Sequence, residues 1–166
     1  LAEVFDGRSQ LIVYNHMWSD DAEWQCPGCT GFTSQFTRLE VLDNYDARFV
    51  IVTNGPIDEA LAYKARVGNT MDWYSSSESS FGADVDAAPG EGFAVNVFLR
   101  DGDNVYHTYS AYARGTDLLV GTYNYLDMTA LGFYDKAFST MNRLVNRLTF
   151  GQAPFRIFAI IHEDRE

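Results

Sequence analysis

Cys26-Pro27-Gly28-Cys29 carries the only two cysteines of the chain, two residues apart. Upstream, Leu11-Ile12-Val13-Tyr14 is apolar and β-prone and continues as a strand toward Trp18. Downstream, Cys29, Phe32, Phe36, Leu39 and Leu42 recur at helical spacing, which predicts one helix running to about Asn44. The cysteines therefore lie where a buried strand hands over to an amphipathic helix. A C-x-x-C at such a turn, with further strand–helix alternation behind it, reads as a dithiol redox motif.

The spacing has a physical reason. Two intervening residues let both sulfurs meet across one helical turn, with the first facing the orphan N–H groups of the helix start, where a thiolate is favoured. Pro27 suits a first helical position, because its missing N–H would have no helical partner anyway. Cys26 is the candidate nucleophile, being first and the more exposed. Cys29 opens the apolar stripe and is the candidate resolving thiol. A purely structural bridge is the plainer alternative, but closing so short a loop contributes only about 2 kcal/mol, against about 3 for a fifteen-residue loop. Inert thiols and a metal site are the other readings. Zinc would need both cysteines plus two of His16, His107 and His162, and no second close-spaced ligand pair exists. Neither metal nor cofactor is expected. Asp20, Asp21 and Glu23 would oppose a thiolate if they lay close, but a solvated loop is the simpler account of them.

At 166 residues, 46% of them apolar, the chain has enough material for one domain with a sizeable core, and 1–166 is read as a single domain. The formal net charge is −11 and no Lys/Arg cluster occurs, so nucleic acid and anionic membrane are poor partners. Two cysteines do not make a secreted disulfide scaffold, no apolar run reaches membrane-spanning length, and no signal-like segment opens the sequence; a cytoplasmic location is the expectation. The sequence begins on Leu1 rather than Met, which leaves room for an N-terminal piece outside it.

Along the chain, 48–53 is a fully buried strand. Pro56 then opens a helix with Ile57, Leu61 and Ala65 as its apolar stripe and Gly68 as its stop. Residues 71–74 form a short strand and 75–92 a loop. Residues 93–100 and 105–112 flank Asp101-Gly102-Asp103-Asn104 as a hairpin. Thr116 or Asp117 caps a helix containing Leu118, Leu119, Tyr123 and Leu126. Tyr106, Tyr109, Tyr112, Tyr123 and Tyr125 are assigned to core and rim. Residues 136–148 are helical in pattern and 155–161 form a late strand. Two strand–helix units followed by a hairpin and helices imply α/β architecture with a central mixed sheet flanked by helices.

Several motifs, in order, carry a family resemblance. Residues 1–14, from Leu1-Ala2-Glu3-Val4-Phe5-Asp6-Gly7 to Val13-Tyr14, resemble the opening of the thioredoxin-like domain-of-unknown-function 899 family. The Cys26–Cys29 site, Phe98-Leu99-Arg100-Asp101-Gly102, His107-Thr108-Tyr109-Ser110, Ala113-Arg114-Gly115 and Gly121-Thr122-Tyr123-Asn124-Tyr125-Leu126-Asp127 are similar to it too. The resemblance covers about residues 1–130, leaving 133–166 as a C-terminal extension. It implies a thioredoxin-like fold and a dithiol–disulfide role. Trp24 resembles the aromatic neighbour of thioredoxin cysteines, and with Pro27 is a candidate substrate contact. More distantly, the pattern is similar to peroxiredoxins, where Arg114 would match an arginine that assists the reactive cysteine. Two positions depart: Glu23 stands where peroxiredoxins carry Thr, and Gly90-Glu91-Gly92-Phe93 rather than a cis-proline leads into the strand facing the cysteines, Pro89 being too far upstream. Three functions follow in order: a thiol–disulfide oxidoreductase acting on a protein or small-molecule disulfide, a thiol peroxidase with Cys26 peroxidatic and Arg114 assisting, and a redox-inactive binding module.

Overall fold

β1 (Gln10–His16), β2 (Ala47–Thr53), β3 (Asp72–Ser75), β4 (Ala94–Asp101) and β5 (Asn104–Tyr112) pair into one sheet in the computed structural model, in the order β3-β2-β1-β4-β5. The structure describes residues 1–36, 38–87 and 92–129. β1, β2 and β3 run parallel, with β4 antiparallel to β1 and β5 antiparallel to β4. The helices are α1 (Pro27–Thr33), α2 (Ile57–Arg66), α3 (Phe81–Asp84) and α4 (Gly121–Asp127). A strand–helix–strand unit on one side of β1 and an antiparallel hairpin on the other make a thioredoxin-like α/β fold. Two compact units are present, Leu1–Val120 and Gly121–Glu166, the sheet lying wholly in the first and α4 in the second.

The central strands are apolar almost without a break because parallel strands bury both faces. On one face Leu11 and Val13 pack with Phe5, Val50, Val52, Ala94 and Phe98. On the other, Tyr14 stacks on Phe32 of α1 at 4.4 Å, and Ile51 packs with Trp18, Ala60, Tyr63, Met71 and Trp73. The β4–β5 hairpin turns at Gly102, whose φ of +59° is the left-handed region that glycine enters without a Cβ penalty. A polar chain crosses the sheet within the first face: Asn96 donates to Asn15 at 2.9 Å, and the Asn96 carbonyl oxygen meets His107 at 2.9 Å and the Ser110 hydroxyl at 2.8 Å.

Several expected elements are corrected. The helix after the cysteines ends at Thr33, and a separate 3-10 turn covers Leu39–Tyr45. Thr33 and Ser34 donate their hydroxyls back to the carbonyls of Cys29 and Thr30, a local pattern that competes with helix continuation. α2 buries Ala60 and Tyr63, whereas Ile57 and Leu61 of the expected stripe are 40% and 44% exposed. Its phase follows Tyr63, which has four aromatic neighbours. Pro56 is the residue before the helix rather than its first. The 75–92 loop contains α3, seated where a Cβ on Gly82 would come within 2.8 Å of the Asn54 side-chain oxygen. The single helix expected after β5 is a 3-10 turn, Ala113–Leu119, an extended Val120, and then α4. Of the tyrosines assigned to core and rim, Tyr106, Tyr109, Tyr112 and Tyr125 are exposed. The expected helix 136–148, the strand 155–161, Pro89, Gly90, Glu91 and His162 lie outside the described residues. Among the described residues no helix is long and apolar enough to cross a membrane.

Candidate active site

Cys26 is the residue before α1, and its side chain caps the helix. Its sulfur accepts the N–H of Cys29 at 3.3 Å, the third helical position, as a capping Ser or Asp oxygen would. Pro27 occupies the first turn, so the ring takes a position that needs no donor. Both cysteines are free, Cys26 half-buried and Cys29 fully buried. The Cys29 thiol donating toward Cys26 brings the Cys26 pKa down to about 6, with the backbone N–H groups of Cys29 and Gly28 acting in the same direction and partial burial against them. Cys29 moves the other way: its bond to Cys26 and its burial hold it firmly protonated, against smaller opposing contributions from the Met17 backbone and the Tyr14 hydroxyl. The pair is thus split, with Cys26 shifted toward its thiolate and Cys29 held as a buried thiol.

The backbone of Cys26 is held from both sides. Downstream, its carbonyl accepts the Thr30 N–H and the Thr30 hydroxyl, each at 3.0 Å, and that hydroxyl meets the Tyr63 hydroxyl of α2 at 2.7 Å. Upstream, the buried Gln25 side chain bonds Ser19 and Ala22 across the preceding loop. Arg66, at the end of α2, donates to the Glu23 carbonyl at 2.5 Å and sits over the Trp24 ring at 5.7 Å. Trp24 is 62% exposed and meets Tyr63 edge-on, so an indole surface is presented two residues from Cys26. Asp20, Asp21 and Glu23 are exposed, and the groups acting on Cys26 are the amides and thiol of its own helix. Arg114 pairs with Asp117 at 3.6 Å in the 3-10 turn after β5. A cleft of about 380 Å³ opens between Arg8–Asp43 and Arg48–Asp72, at the start of β2 and away from both cysteines.

His16 and His107 serve the fold rather than the thiols. His107 stacks on Phe98 at 4.8 Å within the polar chain of β4 and β5. His16 is 2% exposed, and one ring nitrogen bonds the Met17 carbonyl at 2.8 Å. That bond makes Nδ1 the protonated nitrogen, leaving Nε2 a bare, buried acceptor among Tyr14, Tyr63 and Trp73. Burial brings the His16 pKa down to about 4. The unfolded chain therefore binds the proton first, and stability is lost as pH falls from about 6.5 to 4, amounting to about 3 kcal/mol at the lower end. In a His16→Phe variant that contribution to the acid-side slope is expected to vanish. Denaturant titrations of both proteins across the window check this, and equal slopes would count against it.

Gln25, Thr30, Tyr63 and Arg66 are absent from the sequence reading. Tyr63 could have been found from the Ala60, Tyr63, Val67 spacing, which is as helical as the stripe chosen. Nothing in the sequence distinguishes Gln25 from the polar residues around it.

Residues 1–147 match the family described as bacterial protein of unknown function (DUF899). The chain belongs to this family. No curated protein matches it in sequence. Among solved structures it is similar to two cysteine-to-serine mutants of Xanthomonas campestris peroxiredoxin Q, at 15% and 14% identity, each over 70% of this chain and 79% and 78% of theirs, with a TM-score of 0.48 in both cases. A structure of Xanthomonas campestris bacterioferritin comigratory protein is similar at 15% identity over 69% of this chain and 77% of that one, with a TM-score of 0.46. What this DUF899 member does must be read from Cys26 and Cys29 themselves.

Proposed function

We propose that this DUF899 protein is a thiol–disulfide oxidoreductase. The supporting observation is the split pair: a half-buried Cys26 whose sulfur faces the Cys29 amide, backed by a buried, protonated Cys29. The Cys26 thiolate attacks one sulfur of a substrate disulfide and forms a mixed disulfide. The other substrate sulfur leaves as a thiolate and takes a proton from solvent. Cys29 then releases its proton and attacks the Cys26 sulfur. The Cys26–Cys29 disulfide forms, the second substrate thiolate leaves, and two electrons have passed from the protein to the substrate. Pro27 follows Cys26 directly and Trp24 precedes it by two residues, and Trp24 offers the substrate an exposed apolar surface. A reducing compartment such as the cytoplasm, which returns the pair to dithiol from a thiol pool, suits this cycle.

The competing chemistry is attack of Cys26 on a peroxide, giving a sulfenic acid that Cys29 closes to the same disulfide with loss of water. The rates of Cys26 oxidation by hydrogen peroxide and by a small disulfide, in wild type and in Arg114→Ala, separate the two. The disulfide is expected to be the faster oxidant, and Arg114→Ala to leave its rate unchanged. A much faster peroxide reaction that is lost in Arg114→Ala would overturn the oxidoreductase reading.

A further inference from the structure

We propose that Gln25 is a positioning residue for Cys26: its buried amide closes the Ser19–Gln25 loop into a hydrogen-bonded ring and so holds the next residue with its sulfur over the Cys29 amide. The inference rests on the oxidoreductase reading only in taking Cys26 as the reactive thiol. Gln25 is 3% exposed, although it follows the exposed stretch Ser19–Trp24 and immediately precedes the nucleophile. Its carbonyl oxygen accepts the Ser19 N–H at 2.8 Å, and its amide nitrogen donates to the carbonyls of Ser19 at 3.0 Å and Ala22 at 3.3 Å. One side chain thus satisfies three backbone groups of a loop that has no strand or helix to satisfy them.

The geometry makes the role specific. Cys26 is the non-helical residue before α1, with φ −41° and ψ 114°, and that backbone setting turns its sulfur back over the helix start. α1 fixes the residue from the downstream side through Thr30. Upstream the chain has just left a loop in which Asp21 adopts φ +59°. Without the amide ring, Ser19–Gln25 is joined to the body of the protein by the Arg66–Glu23 bond and by the contacts of Trp24 with Arg66 and Tyr63, all through the exposed residues Glu23 and Trp24. Cys26 would then sample settings in which its sulfur points to water, and the amides that favour its thiolate would lose their target.

Two variants test this while keeping the bulk of the side chain. Gln25→Met keeps the length and removes all three bonds. Gln25→Glu keeps the acceptor for Ser19 and replaces both donors by an oxygen facing two carbonyls. The readout is the alkylation rate of Cys26 against pH in the dithiol protein, followed by mass spectrometry and accompanied by a thermal melt. Both variants are expected to raise the midpoint by about one pH unit or more, a roughly tenfold smaller thiolate fraction below it, with the melt still cooperative. Folded variants whose midpoint equals that of wild type would overturn the proposal. Hydrogen exchange on the unmodified protein gives a test that needs no variant. The Ser19 amide is expected to be protected well beyond its neighbours in the loop, and exchange at the rate of an open loop would overturn the proposal. A wild-type midpoint near the ordinary cysteine value, with Ser19 protected, would count against the oxidoreductase reading and leave the loop ring standing.

Discussion

A Cys26→Ser variant is expected to lose reaction with a disulfide substrate, by roughly 10³-fold or more, as removal of a nucleophile does. A Cys29→Ser variant is expected to start the reaction and stop, with half of the substrate attached to Cys26. The asymmetry follows from the site. Cys26 is partly open to solvent and has its sulfur on the helix amides, whereas Cys29 is fully buried against Tyr14 and Met17 and can reach only its partner. Incubating each variant with a chromogenic aromatic disulfide and weighing the products checks both halves. A mixed disulfide trapped on Cys29 in the Cys26→Ser protein would reverse the assignment.

Gly55→Ala is expected to destabilise the fold by about 3 kcal/mol, lowering Tm by roughly 10 °C. Gly55 follows β2, and a Cβ built there would lie 2.3 Å from two carbons of the Trp18 ring. Neither group has room to yield. Trp18 is 7% exposed and packs edge-on against Tyr63, while the Gly55 amide is tied to the Thr53 hydroxyl at 3.3 Å and its carbonyl to Ser75 at 2.6 Å. Any movement of the indole passes through Tyr63 to Thr30 and the carbonyl of Cys26. The variant should therefore lose thiol reactivity along with stability. Gly31→Ala is the control: it lies in α1 with nothing within 4 Å of a new Cβ, and alanine there should stabilise by about 0.5–1 kcal/mol. Melts of the two proteins decide the matter, and a Gly55→Ala protein as stable as wild type would refute the packing described.

The sheet and the cysteine turn were legible because each rests on a local signal. β1 and β2 are apolar enough to demand burial on both faces, and Asp101-Gly102-Asp103-Asn104 can do little but turn. Proline at position 27 and a cysteine on either side of one helical turn dictate the capping geometry before any tertiary contact forms. What escaped was decided over distance. The length of α1 depended on whether hydroxyls at Thr33 and Ser34 would turn back on the helix, an outcome close in energy to continuing it. The face of α2 was ambiguous because Ile57-Leu61-Ala65 and Ala60-Tyr63-Val67 are equally periodic; the contacts of the Tyr63 ring with Trp18, Trp24, His16 and Trp73 made the choice. The Gln25 ring and the Gly55–Trp18 contact join parts of the chain with no shared pattern. The acidic residues before Cys26 are a different case: sequence proximity suggested an electrostatic burden, but their side chains are exposed in a loop, and Cys26 is shifted chiefly by the Cys29 thiol, with the amides of its own helix acting in the same direction.

The position of β1 bears on how the protein is made. Among the described residues it is the first of the five strands in chain order and the middle strand of their sheet. Its parallel neighbour begins at Ala47, and Asn15 must wait 81 residues for Asn96. For that interval an apolar strand built to be covered on both faces has one edge open. Non-local pairing of this kind is slow, and the waiting strand is exposed to the wrong partners. Asn15 makes such partners poor ones, since a buried amide gains little from a neighbour unable to hydrogen-bond with it. During synthesis that one polar residue favours the late-arriving β4 over any apolar strand that comes sooner.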